Sequence, residues 1–408
     1  MSVEVLSLGC RLNLAESEVL RGLLAACGDD VVVVNSCAVT AEAVRQTRQA
    51  IRRARRAHPD ARLLVTGCAA EIEREALAAM PEVDGLVGNA VKLEAGTWAA
   101  FNGPNSAPVP FRGGAGGGVS PPDAAPLHTR AFLQVQNGCD HACSFCVIPQ
   151  GRGPSRSRIF AELLNDVARQ LDAGVRELVL TGVDLTAWGL DLPGAPRLGA
   201  LVAAILTAFP ALERLRLSSL DGVEIDSELF ELIAGEPRVM PHVHLSLQAG
   251  DDLILKRMKR RHSRAGAVQL VEKLRARRPG IAIGADLIAG FPTEDEAMHA
   301  RSLGLVAELG MVHGHVFPYS LRPGTPAARM PQVAPARVRA RASELREAVA
   351  AVRQDWLHDQ LGTPLRVLAE RDGTGHAENF ARVLLPKDTR AGTIVTIVPT
   401  RIDQGTLA

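Results

Sequence analysis

The sequence predicts an α/β protein in three parts: an N-terminal parallel α/β domain, a central partial (β/α)6 barrel and a small C-terminal β-domain. Strand-like and helix-like segments alternate in the first part and again in the central part, which is typical of βαβ units and parallel sheets. A stretch rich in Gly and Pro, residues 102–127, lies between these two parts. Short strand candidates near the C-terminus, without intervening helices, indicate the third part.

In the first part, three short runs rich in β-formers each lead directly into a cysteine and a helical pattern. The cysteines are Cys10, Cys37 and Cys68. Because the carboxyl ends of parallel strands share one edge of the sheet, we expect these thiols to converge despite their separation in sequence. Three unrelated buried cysteines are the alternative, but the shared strand–helix position favours a metal cluster. A further cysteine, Cys27, is interpreted as a small hydrophobic residue.

The central part contains six strand candidates, each followed by helix-like sequence. Six such units fit an open version of the (β/α)8 barrel, whose chemistry lies at the carboxyl ends of the strands. The candidates are Ala131–Gln136, Glu177–Leu180, Leu215–Ser218, Val243–Leu247, Ile281–Leu287 and Val312–Pro318. In the last part, a helical stretch over about 336–361 is followed by the strand candidates Leu365–Ala369, Ala381–Leu385 and Thr393–Val398.

These patterns predict five segments. They are an N-terminal domain over 1–101, a linker over 102–127, a barrel over 128–335, a helical connector over 336–361 and a small β-domain over 362–408. Small barrels of the last kind often bind RNA, although a domain that only packs against the rest is an equal alternative.

The loop after the first barrel strand carries Cys139, Cys143 and Cys146 at the spacing C-x3-C-x2-C. Three thiolates can hold three irons of a [4Fe–4S] cluster and leave the fourth iron open for a small chelating ligand. The alternative is a zinc site, which requires a fourth Cys or His at matching spacing. His141 lies inside the loop, too close to its neighbours to serve easily.

The composition further limits the classes of function that the sequence can have. The net charge of +1 indicates that any contact with nucleic acid comes from local basic patches, and the aromatic content of 3% argues against a base-stacking platform. The sequence shows no secretion signal and no apolar run of membrane-spanning length, so we expect a cytoplasmic protein without membrane contact. Cysteines in that context favour metal ligation over disulfides.

Two basic patches are candidate RNA contacts. One follows the predicted barrel mouth and comprises Lys256, Arg257, Lys259, Arg260 and Arg261. The other is the helical face from Arg45 to Arg56, on which arginines recur at steps of three and four residues. A solvated helix face is the alternative for both patches.

The cysteine loop, with Phe145 immediately before its last cysteine, resembles the radical-SAM superfamily. Nearly the whole chain resembles one family within it, the radical-SAM methylthiotransferases, which have a three-cysteine α/β domain, a radical-SAM barrel and a small TRAM-like β-domain in this order. The stretches 7–13, 34–40, 45–49, 315–320 and 324–328 are similar to the branch that acts on N6-threonylcarbamoyladenosine in tRNA, and the stretch 255–258 resembles the family more broadly.

This resemblance implies two [4Fe–4S] clusters and S-adenosylmethionine as cofactors. The cluster on Cys139, Cys143 and Cys146 would bind and cleave S-adenosylmethionine to a 5′-deoxyadenosyl radical, and the second cluster, on Cys10, Cys37 and Cys68, would hold the sulfur that is transferred. The residues that the resemblance places near S-adenosylmethionine are Phe145, Thr181, Gly182, Ser218, Ser219, Gln248 and Gly290.

The implied product is 2-methylthio-N6-threonylcarbamoyladenosine at position 37, and the implied partners are tRNA, an electron donor and a sulfur source. Two alternatives keep the chemistry but change the substrate, to isopentenyl-adenosine in tRNA or to an aspartate of a ribosomal protein. A third alternative is a non-catalytic iron–sulfur carrier, which has no need of a pocket for S-adenosylmethionine.

Overall fold

The computed structural model describes residues 3–25, 30–99 and 129–408. The predicted linker 102–127 and Cys27 lie outside the described residues. Within them, the predicted α/β architecture is confirmed: a parallel N-terminal sheet, a partial barrel and a mostly antiparallel C-terminal sheet. No described helix has the length and apolarity that crossing a membrane requires.

The N-terminal domain is a parallel sheet of four strands in the order β1-β2-β3-β4, with helices between the strands. The second strand is buried along its whole length, since it has a neighbour on each side and helices over it. The elements are β1 Val3–Ser7, α1 Arg11–Leu24, β2 Val31–Ser36, α2 Ala41–Ala57, β3 Arg62–Gly67, α3 Cys68–Ile72, α4 Arg74–Ala78, β4 Gly85–Leu86 and α5 Ala95–Ala99.

The central domain contains the six predicted parallel strands, together with three short ones. The strand and helix bounds are β5 Arg130–Gln134, β6 Gln136–Asn137, α6 Ile148–Arg152, β7 Arg156–Ser157, α7 Phe160–Asp172, β8 Glu177–Thr181, α8 Leu198–Ala208, β9 Arg214–Leu217, β10 Ser219–Leu220, α9 Ser227–Gly235, β11 His242–Gln248, α10 Asp252–Arg257, α11 Arg264–Arg277, β12 Ala282–Ala289, α12 Glu296–Glu308 and β13 Met311–Pro318.

The barrel is split and open. Its strands form one sheet of β5-β8-β9 and another of β10-β11-β12-β13, linked by an isolated bridge between Leu215 and Val239. The first and last strands, β5 and β13, do not pair with each other among the described residues. The N-terminal domain lies against this opening, because α1 packs on β5 while the Ala41 N–H donates to Ser320 Oγ, just beyond β13, at 2.9 Å.

The C-terminal part begins with a long helix and ends in a six-stranded sheet of order β17-β14-β15-β16-β19-β18. The helix is close to its predicted span, and all three predicted strands are present. Three more strands, β15, β18 and β19, were not predicted. The elements are α13 Pro335–His358, β14 Leu365–Ala369, β15 Thr374–Ala377, β16 Arg382–Leu384, β17 Ile394–Ile397, β18 Ile402–Asp403 and β19 Thr406–Leu407.

Buried charges at the start of the barrel strands fasten the C-terminal domain to the barrel. Glu177, the first residue of β8, accepts from Arg216 at 2.8 Å and from Arg214 at 3.4 Å. The same guanidinium groups donate to backbone carbonyls of the C-terminal sheet, including that of Arg366 at 2.7 Å. Burial alone would raise the pKa of Glu177, but the arginines outweigh it and lower that pKa to about 2.

We expect Glu177→Ala to lower the free energy of unfolding by about 3–5 kcal/mol, because two buried guanidinium groups lose their counter-charge. Urea denaturation monitored by circular dichroism measures this loss. The matched control is Glu213→Ala, since Glu213 also bridges to Arg366, at 3.3 Å, but is half-exposed; its loss should cost below about 1 kcal/mol. Equal losses of unfolding free energy in the two variants would contradict a special role for the buried charges at the start of the barrel strands.

Candidate functional site

The barrel thiol group, Cys139, Cys143 and Cys146, lies on a loop between β6 and α6. The Cys146 N–H donates to the Cys143 carbonyl at 3.2 Å, which tightens the C-x2-C turn. Gly138 begins the loop with φ at +75°, and a Cβ there would lie 1.8 Å from the Pro154 carbonyl oxygen. Only glycine therefore lets the chain enter this loop along its observed path.

Ser144, in the middle of the loop, anchors it to two other segments of the barrel. Its N–H donates to the Met258 carbonyl at 3.1 Å and its hydroxyl to the Arg257 carbonyl at 2.7 Å, both at the end of α10. Its own carbonyl accepts from the Ala327 N–H at 2.9 Å. The loop is thus held on rigid elements, which suits a ligand-binding constellation.

Each sulfur of the barrel thiol group has a hydrogen-bond donor beside it. The His141 N–H lies 3.4 Å from Cys139 Sγ, and the Ile148 N–H lies 3.4 Å from Cys146 Sγ. The third donor is Arg260, whose Nη1 is 3.6 Å from Cys143 Sγ. Hydrogen-bond donors in these positions would stabilise sulfurs that bind iron.

Burial disfavours the ionised form of two of these thiols. Burial raises the pKa of Cys139 to about 12 and that of Cys146 to about 11. A cationic iron–sulfur core would compensate this cost, so the three thiols and their donors fit a [4Fe–4S] cluster with three protein ligands. The zinc alternative would use Cys139, His141 and Asp184, whose ligand atoms lie close together; that set leaves two of the three cysteines unused.

The N-terminal thiol group, Cys10, Cys37 and Cys68, converges at the carboxyl edge of its sheet, as the strand pattern predicts. Gly9 has φ at +92°, and a Cβ there would lie 2.6 Å from Cys37 Cβ. Burial, with a smaller contribution from the neighbouring Cys68 and Cys10 thiols, raises the pKa of Cys37 to about 11. That these residues bind a second cluster stays a prediction.

The two thiol groups flank a single helix contact. α3, which begins at Cys68, packs against α6, which follows Cys146. Gly151 allows the close approach, because a Cβ at this position would lie 3.3 Å from Cys68 Cβ. Cys68 is also near enough to contribute to the raised pKa of Cys146. The structure therefore places the thiol groups of the two domains next to each other.

A buried ionic network fixes this contact. Arg152, at the end of α6, pairs with Glu16 of α1 at 2.8 Å and reaches Asn13 at 2.5 Å. Lys92 adds a second cation to Glu16 at 2.6 Å. Burial would raise the pKa of Glu16, but Arg152 and Lys92 outweigh it and lower that pKa to about 2. Sequence reasoning missed this network; the one local signal was an acid on the buried face of α1.

The candidates for contact with S-adenosylmethionine lie at or just beyond strand ends, apart from Phe145 in the cysteine loop, whose ring packs edge-on against Phe291. Ser218 follows β9, and its buried hydroxyl has no hydrogen-bond partner in the described chain, which suits a polar ligand. Gly290 follows β12 at φ +70°, and its N–H donates to Glu294 at 2.8 Å. The other strand-end candidates are Thr181, Gly182, Ser219 and Gln248.

The candidate RNA patch after α10 divides into two groups. Lys256 and Lys259 are exposed. Arg260 faces inward, with its side chain 8% exposed, and pairs with Asp221 at 3.0 Å as well as facing Cys143. Arg261 pairs with Glu224 at 2.6 Å.

Arg257, the remaining member of that patch, is half-buried and donates to the Thr293 carbonyl at 3.3 Å. The second candidate face, on α2, is also largely paired: Arg45 with Glu42 at 2.6 Å, and Arg55 with Asp84 at 2.5 Å. Most of these cations therefore have acidic or carbonyl partners within the protein.

The barrel interior holds a further polar group that sequence reasoning missed. Asp286 of β12 accepts from His244 of β11 and His315 of β13, each at 3.1 Å. Arg11, the first residue of α1, reaches this interior, and its guanidinium lies 5.5 Å from the centre of the Phe380 ring. Burial and the nearby Arg130 and Arg216 lower the pKa of Arg11 to about 10, so it remains a cation at neutral pH.

The fold and the barrel thiol group define a radical SAM protein, and comparison with known proteins agrees. Residues 133–306 match the Radical SAM superfamily, and residues 2–88 match a family described as Uncharacterized protein family UPF0004. Membership of the superfamily implies a [4Fe–4S] cluster and S-adenosylmethionine.

Relatives that align over nearly the whole chain identify the family within this superfamily. A Rickettsia prowazekii protein named threonylcarbamoyladenosine tRNA methylthiotransferase MtaB is 44% identical over 405 residues, which cover 98% of this chain and 96% of that protein. A Cereibacter sphaeroides protein named tRNA-2-methylthio-N(6)-dimethylallyladenosine synthase is 33% identical over 415 residues, 97% of this chain and 94% of that protein. The chain belongs to the radical SAM methylthiotransferase family.

Among solved structures, the cobalamin-bound radical S-adenosylmethionine methyltransferase TsrM from Kitasatospora setae matches with a TM-score of 0.52 at 18% identity, over 77% of this chain and 68% of that one. The cobalamin-dependent enzyme OxsB matches with a TM-score of 0.52 at 10% identity, over 85% of this chain and 56% of that one. These similarities support the fold alone.

We expect Arg260→Met to make the reduction potential of the reconstituted barrel cluster more negative, because the cation beside Cys143 stabilises the added electron. Removing a hydrogen bond of about 1 kcal/mol corresponds to a shift on the order of 50 mV for one electron. A redox titration followed by electron paramagnetic resonance measures the shift. Arg261→Met is the matched control, since Arg261 pairs with Glu224; a shift of equal size there would contradict a specific role for Arg260.

Proposed function

We propose that this enzyme adds a methylthio group to C2 of N6-threonylcarbamoyladenosine at position 37 of tRNA, giving 2-methylthio-N6-threonylcarbamoyladenosine. The near full-length similarity to proteins named for this reaction supports the substrate. The observation that carries the chemistry is the contact between α3 and α6, which brings two groups of three cysteines together from separate domains.

We assign one [4Fe–4S] cluster to Cys139, Cys143 and Cys146 and a second to Cys10, Cys37 and Cys68. When loaded, the first cluster with S-adenosylmethionine supplies an organic radical, and the second presents the sulfur to be transferred. The chain's own part is positional. The loop anchored by Ser144 fixes the first thiol group, and the Arg152–Glu16 pair fixes the second group relative to it.

The polar strand ends at the barrel mouth are the proposed contacts of S-adenosylmethionine. Ser218 offers a buried hydroxyl that has no partner within the described residues. Gly182 lets Gln136 approach closely, because a Cβ at this position would lie 2.9 Å from Gln136 Oε1. Phe145 packs edge-on against Phe291, which helps to fix its position in the cysteine loop. The remaining proposed contacts are Thr181, Ser219, Gln248 and Gly290.

An electron donor, a sulfur source and tRNA are the partners that this chemistry requires. We propose that the reaction takes place in the cytoplasm, where tRNA is the substrate and thiols stay reduced. The exposed Lys256 and Lys259, beside the anchored cysteine loop, are the best placed cations for tRNA phosphates.

Mass spectrometry of tRNA nucleosides from a strain that lacks the gene tests the substrate. We expect the 2-methylthio derivative of N6-threonylcarbamoyladenosine to disappear and to return when the gene is restored. Loss of 2-methylthio-isopentenyl-adenosine instead would show that the substrate is isopentenyl-adenosine in tRNA. Unchanged tRNA nucleosides would favour the ribosomal-protein substrate or a non-catalytic carrier; release of 5′-deoxyadenosine by the reconstituted protein excludes the carrier.

We expect the triple variant Cys10→Ala, Cys37→Ala and Cys68→Ala to lose methylthiolation but to keep reductive cleavage of S-adenosylmethionine. Its iron content should fall to about half, since one of two clusters remains. The matched control removes the barrel thiol group, which should halve the iron as well but abolish 5′-deoxyadenosine formation. Equal loss of 5′-deoxyadenosine in both folded variants would contradict this division of roles.

We expect Lys256→Glu with Lys259→Glu to weaken tRNA binding and to reduce its log–log salt slope by about one unit for each phosphate that the protein no longer neutralises. Binding at several salt concentrations, with both clusters intact, measures this change. The control carries the same charge change at Lys273 and Lys387, which are exposed elsewhere on the surface. If both double variants bind tRNA alike, the two lysines form a solvated face and do not bind RNA.

A further inference from the structure

The inner side of the barrel is lined by charged residues and histidines. Arg214 and Arg216 come from β9, His242 and His244 from β11, and Asp286 from β12. Phe380 of the C-terminal domain enters from the side where the strands begin, and its ring lies 4.8 Å below the Arg216 guanidinium and 5.0 Å from the His242 ring. The interior is therefore polar, with an aromatic floor.

Almost every charge in this interior has a partner of opposite sign. Glu177 is engaged by Arg214 and Arg216, and Asp286 by two histidines. A third pair joins Arg130 to Glu370 at 2.7 Å. The acids near Arg11 are thus already occupied.

Arg11 is the exception. Its side chain forms no hydrogen bond or ion pair with any described residue, and its guanidinium lies 5.5 Å from the centre of the Phe380 ring. A second group nearby is also unsatisfied, because His242 is buried and neither of its ring nitrogens has a partner in the described chain. A part-buried cation without a counter-ion, beside an unsatisfied imidazole, is costly unless an anion completes the site.

The position of Arg11 connects this cation to the reaction. It follows Cys10 directly, so its backbone lies at the N-terminal thiol group while its side chain extends into the barrel. It enters through the opening between β5 and β13 that the N-terminal domain covers. A base whose C2 faces the N-terminal thiol group would therefore place its N6 substituent within the same interior.

We propose that Arg11 binds the carboxylate of the threonylcarbamoyl group and so selects this substrate. The inference rests on the proposed function. Guanidinium and carboxylate are matched in charge and in planar, two-pronged geometry, which is the strongest common way to recognise a carboxylate. An isopentenyl group carries no charge, so it would leave Arg11 buried without a counter-ion and would be disfavoured.

The experiment compares three anticodon stem-loop RNAs that differ only at position 37: N6-threonylcarbamoyladenosine, its uncharged methyl ester, and isopentenyl-adenosine. Binding to the anaerobically reconstituted enzyme is measured for each RNA. We expect the wild type to bind the carboxylate RNA about 10–100-fold more tightly than the ester. The ester comparison requires no variant and therefore tests the proposal even if substitutions impair folding.

In Arg11→Met the preference for the carboxylate should fall to near one while affinity for the ester stays unchanged, and Arg11→Lys should retain part of the preference. Arg339→Met, at an exposed position of α13, is the matched control and should keep the full preference. Iron content confirms that the variants carry both clusters.

Three results would overturn the proposal. A wild type that methylthiolates the carboxylate RNA yet binds it no better than the ester would remove Arg11 from recognition and leave the proposed function intact, as would full preference in Arg11→Met. Arg11 would then serve only to cover the Phe380 ring. A wild type that methylthiolates the isopentenyl RNA and not the carboxylate RNA would overturn the proposed function itself, together with this inference.

Discussion

The buried pair between Arg152 and Glu16 is the interaction on which the geometry of the site depends. Arg152 ends the helix that follows the barrel cysteines, and Glu16 lies on the helix that follows Cys10. Burying these ions is expensive, and the cost is offset only because Lys92, Asn13 and Asn137 complete their hydrogen bonds. Such a network tolerates little displacement, so it holds the two domains, and the thiol groups that they carry, in one relative position.

Buried polar contacts also attach the other two domains to the open parts of the barrel. An incomplete barrel exposes its interior at its lower end and along its missing strands. At the lower end, Glu177 and the arginines of β9 bind the carbonyls of the C-terminal sheet, and Phe380 fills the floor. Along the missing strands, the N-terminal domain lies between β5 and β13. The added domains therefore complete a cavity wall as well as carrying sites of their own.

These internal uses of charge limit the number of cations that a nearly neutral chain can offer to a polyanion. Arginines of the two candidate RNA patches are largely paired in the structure: Arg55 with Asp84, Arg261 with Glu224, and Arg260 with Asp221 beside the Cys143 sulfur. Such pairs neutralise the cation and reduce its attraction for phosphate. Within the patch after α10, Lys256 and Lys259 are exposed.

The secondary-structure elements and the convergence of the N-terminal cysteines could be predicted from local sequence patterns. Strand and helix periods are local, so the six barrel strands are found close to their predicted bounds, and parallel topology carries every strand end to one edge, which brings Cys10, Cys37 and Cys68 together. The strands β18 and β19 were missed because each is only two residues long, too short to show an alternating pattern, although they pair with each other across a short turn.

Which charges form pairs depends on the tertiary structure and could not be read from the sequence. Glu16 and Arg152 are 136 positions apart, and the contact of Arg11 with Phe380 joins the first domain to the last. The position of Arg260 after the predicted barrel mouth placed it on a basic patch but could not show that its guanidinium turns toward Cys143. The physical reason is that periodicity reports the face on which a side chain lies within its own element, whereas its partner depends on how separate domains dock.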